Sequence, residues 1–145
     1  MYDDVVRAFA TLIVAGKQRS PDDVTRVLGL PSSYAHRVGD PIINPFGRQT
    51  GTRKSNVWHY SSEHSTQSKD LDDHLQALIS VLSSRTPAIR ALQSDSEVFI
   101  NCTWESSRLF VGSGPTLLPS TCSGIGLLGV ELTFDVYCSL EHEGP

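Results

Sequence analysis

The sequence predicts an α+β fold, a single compact domain over residues 1–145 whose largely antiparallel sheet carries two or three helices packed on one face. Two segments, 98–104 and 130–138, alternate in side-chain character with the period of a β-strand. Segment 71–82 repeats leucine and isoleucine with the period of an α-helix. Strands and helices are mixed along the chain, and several connections look like hairpins, which favours an antiparallel sheet over a parallel one.

The N-terminal third predicts a strand followed by a short helix. Residues 5–15 form an apolar run with β-branched and aromatic residues, which ends at Gly16. Ser20 is a typical N-cap, Pro21 suits the first helical position, and Gly29 ends the helix after about two turns.

The middle of the chain predicts short strands around an irregular segment. A short strand is expected over 33–38 and another over 57–61. Residues 39–55 between them are rich in glycine and proline, which predicts a loop or a loose hairpin. The polar segment 61–69 is expected to be an exposed connection.

The C-terminal half predicts the longest helix and two strands. Asp70 is the expected N-cap of that helix, and Thr86 that of its continuation after Pro87. The strand over 130–138 is expected to bury one face, and the tail 141–145 to be frayed. Residues 112–129 hold five glycines and two prolines, which leaves a helix within 113–126 undecided.

Composition narrows the function classes. The formal net charge is −4, which argues against nucleic acid or a membrane surface as the main partner. Three cysteines and an acidic N-terminus without an apolar leader favour the cytoplasm, with Cys102 and Cys138 as buried free thiols. A sheet edge would allow a homodimer, which the sequence does not decide.

The segment from 37 to 54, here called the basic loop, is the first candidate site. It contains one acid, Asp40, and four cations, Arg37, Arg48, Arg53 and Lys54. Glycine turns and arginine side chains together form an anion-binding surface, which would recognise a phosphate, a carboxylate or an acidic partner. The alternative is a solvated loop in which Arg37 and Asp40 pair structurally.

Asp40 and three residues outside the loop are candidate binding residues, and three of these four also have a structural interpretation. Asp40 is a candidate ligand or base, or a turn former that bonds backbone amides. Trp58 is a candidate stacking floor beside the loop, or a core residue. Asp135 and Tyr137 are candidate binding residues on the polar side of the last strand, unless Asp135 pairs with a cross-strand basic residue.

No pattern of catalytic or metal-binding residues stands out. His36, His59, His64 and His74 are scattered and lack metal-ligand spacing. The glycine-rich segments near 113 and 124 lack a P-loop lysine and a nucleophile elbow. The sequence therefore predicts no catalytic residue, no metal and no cofactor, which argues against a hydrolase or transferase.

Five segments in order resemble the bacterial domain of unknown function 4279: Pro21-Asp22-Asp23 through Leu28-Gly29-Leu30, His36 to Asp40, Trp58 after the basic loop, Asp70 to Leu75, and Leu132 to Tyr137. The resemblance covers nearly the whole chain and implies a small, bacterial, cytoplasmic, single-domain protein. It implies no activity. The chain departs from the family at Pro119, Gly124 and Gly126, where relatives tend to have a helix before the last strand.

These observations predict a non-enzymatic interaction protein of the bacterial cytoplasm, whose partner is another protein. A toxin-neutralising (immunity) protein is a candidate by analogy with other small acidic α+β domains. The expected binding face combines the basic loop with the sheet positions near Glu131, Asp135 and Tyr137. The alternative function is a sensor of a small anion or metabolite, clamped by the same loop.

Overall fold

The computed structural model describes residues 4–107 and 114–138. Within these ranges the elements, in chain order, are β1 (Val5–Gly16), α1 (Pro21–Leu28), β2 (Tyr34–His36), β3 (Pro41–Ile43), β4 (Gln49–Thr52), β5 (Asn56–Ser61), α2 (Leu71–Leu82), α3 (Thr86–Gln93), β6 (Glu97–Ser106), α4 (Pro119–Leu128) and β7 (Glu131–Cys138). Five strands build a mostly antiparallel sheet in the order β2-β5-β1-β6-β7, and β3 pairs with β4 in a separate sheet. The predicted α+β class is confirmed.

The chain divides into two compact units. The described part of unit one covers 4–11, 61–84, 100–107 and 114–138, and unit two covers 12–60 and 85–99. The single domain expected from the sequence stays a prediction, and its frayed tail lies outside the described residues. No helix of the described ranges is both long and apolar enough to cross a membrane.

Unit one is organised around α2, whose predicted cap and apolar stripe are confirmed. The Asp70 carboxylate accepts a hydrogen bond of 3.0 Å from the Asp72 backbone N–H. The buried side of the helix holds Leu71, Leu75, Leu78 and Leu82. The buried Asp72 carboxylate accepts hydrogen bonds from Gln76 Nε2 (2.8 Å) and from the backbone N–H of Leu118, the N-cap of α4 (2.9 Å). Asp72, in the first turn of α2, therefore holds the N-terminal end of α4 against α2.

Residues 119–128 form a helix, which decides the segment that the sequence left open. Pro119 is compatible with the helix because it occupies the first turn, where its missing N–H has no intrahelical role. Gly129 ends the helix with a left-handed backbone, φ +68°. Gly124 allows α4 to approach α2 closely, since a Cβ at this position would meet Ile79.

The last strand forms as predicted, but its expected burial is wrong. Every residue of β7 is exposed or half-buried, including Phe134, Val136 and Tyr137. Alternation of apolar and polar residues indicates which face of a strand is suited to burial. Whether that face is covered depends on the neighbouring elements, and β7 lies at the edge of the sheet.

Unit two contains α1 and α3, which pack against each other. The predicted cap of α1 is confirmed, because Ser20 Oγ accepts from the Asp23 N–H at 3.2 Å. Arg85 Nε donates to the Leu28 carbonyl at the C-terminal end of α1 (2.9 Å). The predicted cap of α3 at Thr86 is wrong: a 3-10 turn over Ser83–Arg85 precedes Thr86, which is already helical.

The connection 61–69 is less exposed than predicted. It contains a 3-10 turn over Ser62–His64, and the Ser62 side chain is fully buried. Ser61 Oγ accepts from the Glu63 N–H at the start of this turn. The capped turn is ordered, and its buried serine anchors this polar segment in unit one.

Candidate interaction surface

Backbone hydrogen bonds close the basic loop (residues 37–54) at its base. The Gly39 N–H donates to the Arg53 carbonyl (2.9 Å), and the Arg53 N–H donates to the Asp40 carbonyl (2.8 Å). The Val38 N–H donates to Asn56 Oδ1 (2.9 Å), and Asn56 Nδ2 donates to the Arg19 carbonyl (3.0 Å). Asn56 therefore links the base of the loop to the start of α1.

Inside the basic loop, β3 and β4 form the hairpin that the sequence offered as one alternative. The pairs are Pro41↔Thr52, Ile42↔Gly51 and Ile43↔Gln49, with a bulge after Ile42. A bulge adds twist, and Pro41 removes one backbone donor at the start of β3. Both features protect a short hairpin from pairing with other strands.

The tip of this hairpin is held by one asparagine. Asn44 Oδ1 accepts from the N–H groups of Phe46 (3.0 Å) and Arg48 (2.9 Å), and the Asn44 N–H donates to the Arg48 carbonyl (2.9 Å). Gly47 supplies the left-handed backbone of the turn, φ +77°. Four hydrogen bonds around the turn, including Gly47 N–H to the Asn44 carbonyl (2.9 Å), therefore order it without a partner.

The ordered tip displays an aromatic side chain. Phe46 is 93% exposed, and Ile43 and Val38 are each more than half exposed. Arg48 and Lys54 are also exposed, Arg53 is half-buried, and none of the three cations forms an ion pair within residues 4–107 and 114–138. An exposed phenylalanine close in sequence to unpaired cations suits an apolar pocket with an acidic rim.

Arg37 and Asp40 do not form the side-chain pair that the sequence suggested. Arg37 Nη2 lies 2.7 Å from Asp22 Oδ2 of α1, so the guanidinium is partly neutralised there. The Asp40 carboxylate instead accepts from the Arg37 backbone N–H (2.8 Å), which is the turn-forming alternative. Asp40 therefore organises the backbone, and Arg37 is less available to an anion than Arg48 or Lys54.

A polar cleft of about 330 Å³ lies beside these residues, lined by Pro21, Asp22, Thr25, Ser32, Ala35, His36, Arg37 and Asp40. His36 Nδ1 is hydrogen-bonded to the Tyr34 hydroxyl (2.9 Å). Burial lowers the pKa of His36, the Arg53 cation lowers it further, and Asp40 opposes both. The cleft carries two carboxylates for one arginine, so its charge does not favour an anion.

Trp58 is a core residue, and its expected role as a stacking floor is wrong. The indole is fully buried in unit two, and Nε1 donates to Thr25 Oγ1 of α1 (3.0 Å). Its ring stacks on Tyr60 with centroids 6.3 Å apart. A tryptophan whose donor and ring faces are occupied inside the fold offers no surface to a ligand.

Asp135 and Tyr137 belong to β7 in unit one, whereas the basic loop belongs to unit two. Asp135 Oδ2 accepts from Asn101 Nδ2 (3.0 Å), so its partner is an amide and not the expected basic residue. Tyr137 and Glu131 are exposed. The basic loop and β7 are therefore described separately. The predicted binding face that combines them stays a prediction.

Sequence reasoning missed a buried serine–histidine pair in unit one. Ser62 Oγ lies 2.6 Å from His74 Nδ1 and accepts from the Ala10 N–H (2.9 Å). His74 Nε2 lies 2.6 Å from the Ser68 carbonyl, which only accepts, so a neutral ring carries its proton on Nε2. Every polar atom of the pair is used within the fold. The twelve-residue separation gave no motif to detect.

Outside this pair, the described ranges hold no cluster of potential metal-binding side chains, and the cysteines are separate from one another. No group of three or more potential metal ligands occurs among the described residues. All three cysteines are free: Cys102 is buried, Cys138 is half-buried and Cys122 is exposed. Burial raises the pKa of the Cys102 thiol to about 12, which makes it a poor nucleophile.

The comparisons with known proteins give one match. The sequence model of a family described as "Domain of unknown function (DUF4279)" matches residues 6–139. No curated protein and no solved structure matches the chain.

Proposed function

We propose that this chain, which belongs to the DUF4279 family, is a non-enzymatic interaction protein that binds a protein partner through the basic loop. The observation that carries the proposal is the hairpin tip, where Asn44 orders a turn that presents Phe46 almost completely to solvent. An ordered loop loses little conformational freedom on binding, and a buried aromatic side chain is a frequent energetic hot spot.

The charges of the loop define the partner. Arg48, Arg53 and Lys54 are cations without an ion pair in the described ranges, on a chain whose net charge is −4. A partner with an apolar pocket and an acidic rim would bind the loop and would be repelled elsewhere. The proposed setting is the bacterial cytoplasm, which three free cysteines support. A toxin is one such partner, by analogy.

The test is affinity capture of the tagged protein from its native cells, with the wild type and three variants compared by quantitative mass spectrometry. Phe46→Ser and the pair Arg48→Glu with Arg53→Glu are expected to lower recovery of the partner at least about tenfold. The pair Lys17→Glu with Lys69→Glu makes the same charge change outside the loop and should recover the partner like the wild type. Equal recovery by all variants would overturn the role of the loop.

A second comparison tests the turn itself. Asn44→Ala removes the acceptor of two backbone N–H groups but keeps Phe46 and every cation. Weaker capture by Asn44→Ala would show that order in the turn contributes to binding. A captured partner that inhibits growth when expressed alone, and not when expressed with this protein, would establish neutralisation.

The alternative, a sensor of a small anion, has weaker support. Arg48 and Lys54 are exposed, whereas a clamp requires donors that converge on an enclosed site. If capture finds no partner, thermal unfolding with phosphate and with phosphorylated or carboxylated metabolites tests the sensor directly. A ligand-dependent rise in Tm that Arg48→Glu with Arg53→Glu abolishes would replace the first proposal.

A further inference from the structure

The two faces of β7 differ in chemistry. Asn101 of β6 donates to Asp135 (3.0 Å), and Thr133 Oγ1 donates to Asn101 Oδ1 (2.6 Å). Side chains of adjacent strands that meet in this way lie on the same face of the sheet. Thr133 and Asp135 therefore lie on a polar face, and Leu132, Phe134 and Val136 lie on the other.

That other face continues the core of unit one but is only partly covered. On β6, the residues that alternate with Asn101 are buried: Ile100, Cys102 and Trp104. Phe134 and Val136 share their face by alternation, yet they are 46% and 51% exposed. Exposed apolar side chains in line with a core indicate a surface that another chain covers.

The edge has little of the usual protection. Natural sheets defend exposed edges with charged side chains, especially lysine, with proline or with a bulge. The charged residues of β7 are two acids, Glu131 and Asp135. The eight residues of β7 contain neither a proline nor a basic residue, and in the described ranges no strand lies beyond β7. An edge of this length with unpaired backbone groups is a template for a further strand.

We propose that β7 pairs antiparallel with β7 of a second copy, around a two-fold axis at Phe134. Directly opposite residues share a face, so the axis places Phe134 against Phe134 and Leu132 against Val136 of the second copy. On the polar face, Asp135 lies opposite Thr133 of the second copy, so each of these carboxylates faces an uncharged side chain. The strand is thus self-complementary about Phe134.

The two acids of β7 disfavour the two adjacent registers. Moving the axis to Asp135 places two aspartates opposite each other, and moving it to Thr133 places Glu131 opposite Asp135. Like charges directly opposite destabilise a strand pair. Only the axis at Phe134, among these three, keeps every acid opposite an uncharged residue, and this argues for a second copy over an unrelated strand.

The oligomeric state tests the proposal. Sedimentation of the purified wild-type protein is expected to show a concentration-dependent dimer. Phe134→Glu removes the central aromatic pair and adds two facing acids, which should raise the dimer Kd at least about 30-fold. Phe46→Glu makes the same substitution in the basic loop and should leave the dimer intact. Because Phe134 is half exposed, its variant is expected to fold, which the far-UV circular dichroism spectrum checks.

Cross-linking tests the register. In a Cys122→Ser, Cys138→Ser background, Phe134→Cys is expected to form an intermolecular disulfide on mild oxidation, since the two positions are directly opposite. Glu131→Cys in the same background places its thiols about 20 Å apart and should stay monomeric on a non-reducing gel. A monomer at about 100 μM, a dimer unaffected by Phe134→Glu, or equal cross-linking at both positions would overturn the proposal. None of these results bears on capture through Phe46.

Discussion

A Cβ atom built on Gly124 of α4 lies only 2.8 Å from Cδ1 of Ile79 on α2. The same Cβ is 3.2 Å from Cγ2 of Ile79, so rotation of the outer methyl group alone does not relieve the contact. The two helices therefore approach each other at a residue without a side chain. Helix packing in unit one depends on that glycine.

Gly124→Leu is expected to destabilise the protein by about 2 kcal/mol, because the added side chain forces the helices apart. Gly126→Leu is the matched control, since a Cβ there meets nothing within 4 Å. The control should be neutral or stabilising by up to about 1 kcal/mol, through helix propensity. Urea unfolding of the two variants measures the difference, and coinciding midpoints would contradict the close approach.

Acidification is expected to destabilise unit two through His59. Burial lowers the pKa of His59 below its ordinary value of 6.5, and the neighbouring His36 lowers it further. Between the lowered pKa and 6.5 the unfolded chain therefore binds more protons than the folded chain, and stability falls as pH falls through this window. The urea midpoint should decrease from pH 7.5 to pH 5.5.

His59→Gln removes this titration, so the midpoint of the variant should depend less on pH than that of the wild type. If His59→Gln shows the wild-type pH dependence, then His59 is not the group that links protonation to folding.

The thiols are expected to react in an order set by exposure and pKa. Cys122 is exposed and should react rapidly with Ellman's reagent at pH 8, whereas Cys102 is fully buried and its pKa is about 12. At that pH only about one Cys102 thiol in 10⁴ is ionised, so its reaction should require unfolding. Cys122→Ser should remove the fast phase, while Cys102→Ser should leave it unchanged. A fast phase that survives Cys122→Ser and disappears in Cys102→Ser would refute the assignment.

Local chemistry accounts for the parts of the fold that the sequence predicted well. Ser20, Asp70 and Gly29 act within one turn of their own helix, so their roles follow from neighbouring residues alone. The hairpin within the basic loop likewise depends on Pro41, Asn44 and Gly47. The position of Pro119 was ambiguous because the same residue breaks a helix interior and suits a first turn.

The candidate site was predicted only in part. The basic loop and its cations are evident in the composition of 37–54. The sequence does not single out Phe46, the most exposed large apolar side chain of the described ranges. Residue type alone does not predict whether an individual side chain is exposed. Proximity in the sequence places Trp58 beside the basic loop. Adjacent residues of a strand point to opposite faces, however, and Trp58 lies on the buried face of β5.

Sequence alone predicts where α1 and α2 begin, which strand positions share a face and where the cations cluster, since each of these features depends on residues a few positions apart. Tertiary packing decides that Trp58 is core, that Ser62 meets His74, that Arg37 pairs with Asp22, and that Phe134 stays about half exposed. Burial and long-range pairing depend on which elements pack together. The type of a side chain sets its tendency to be buried, whereas the surface that covers it comes from residues distant in the sequence.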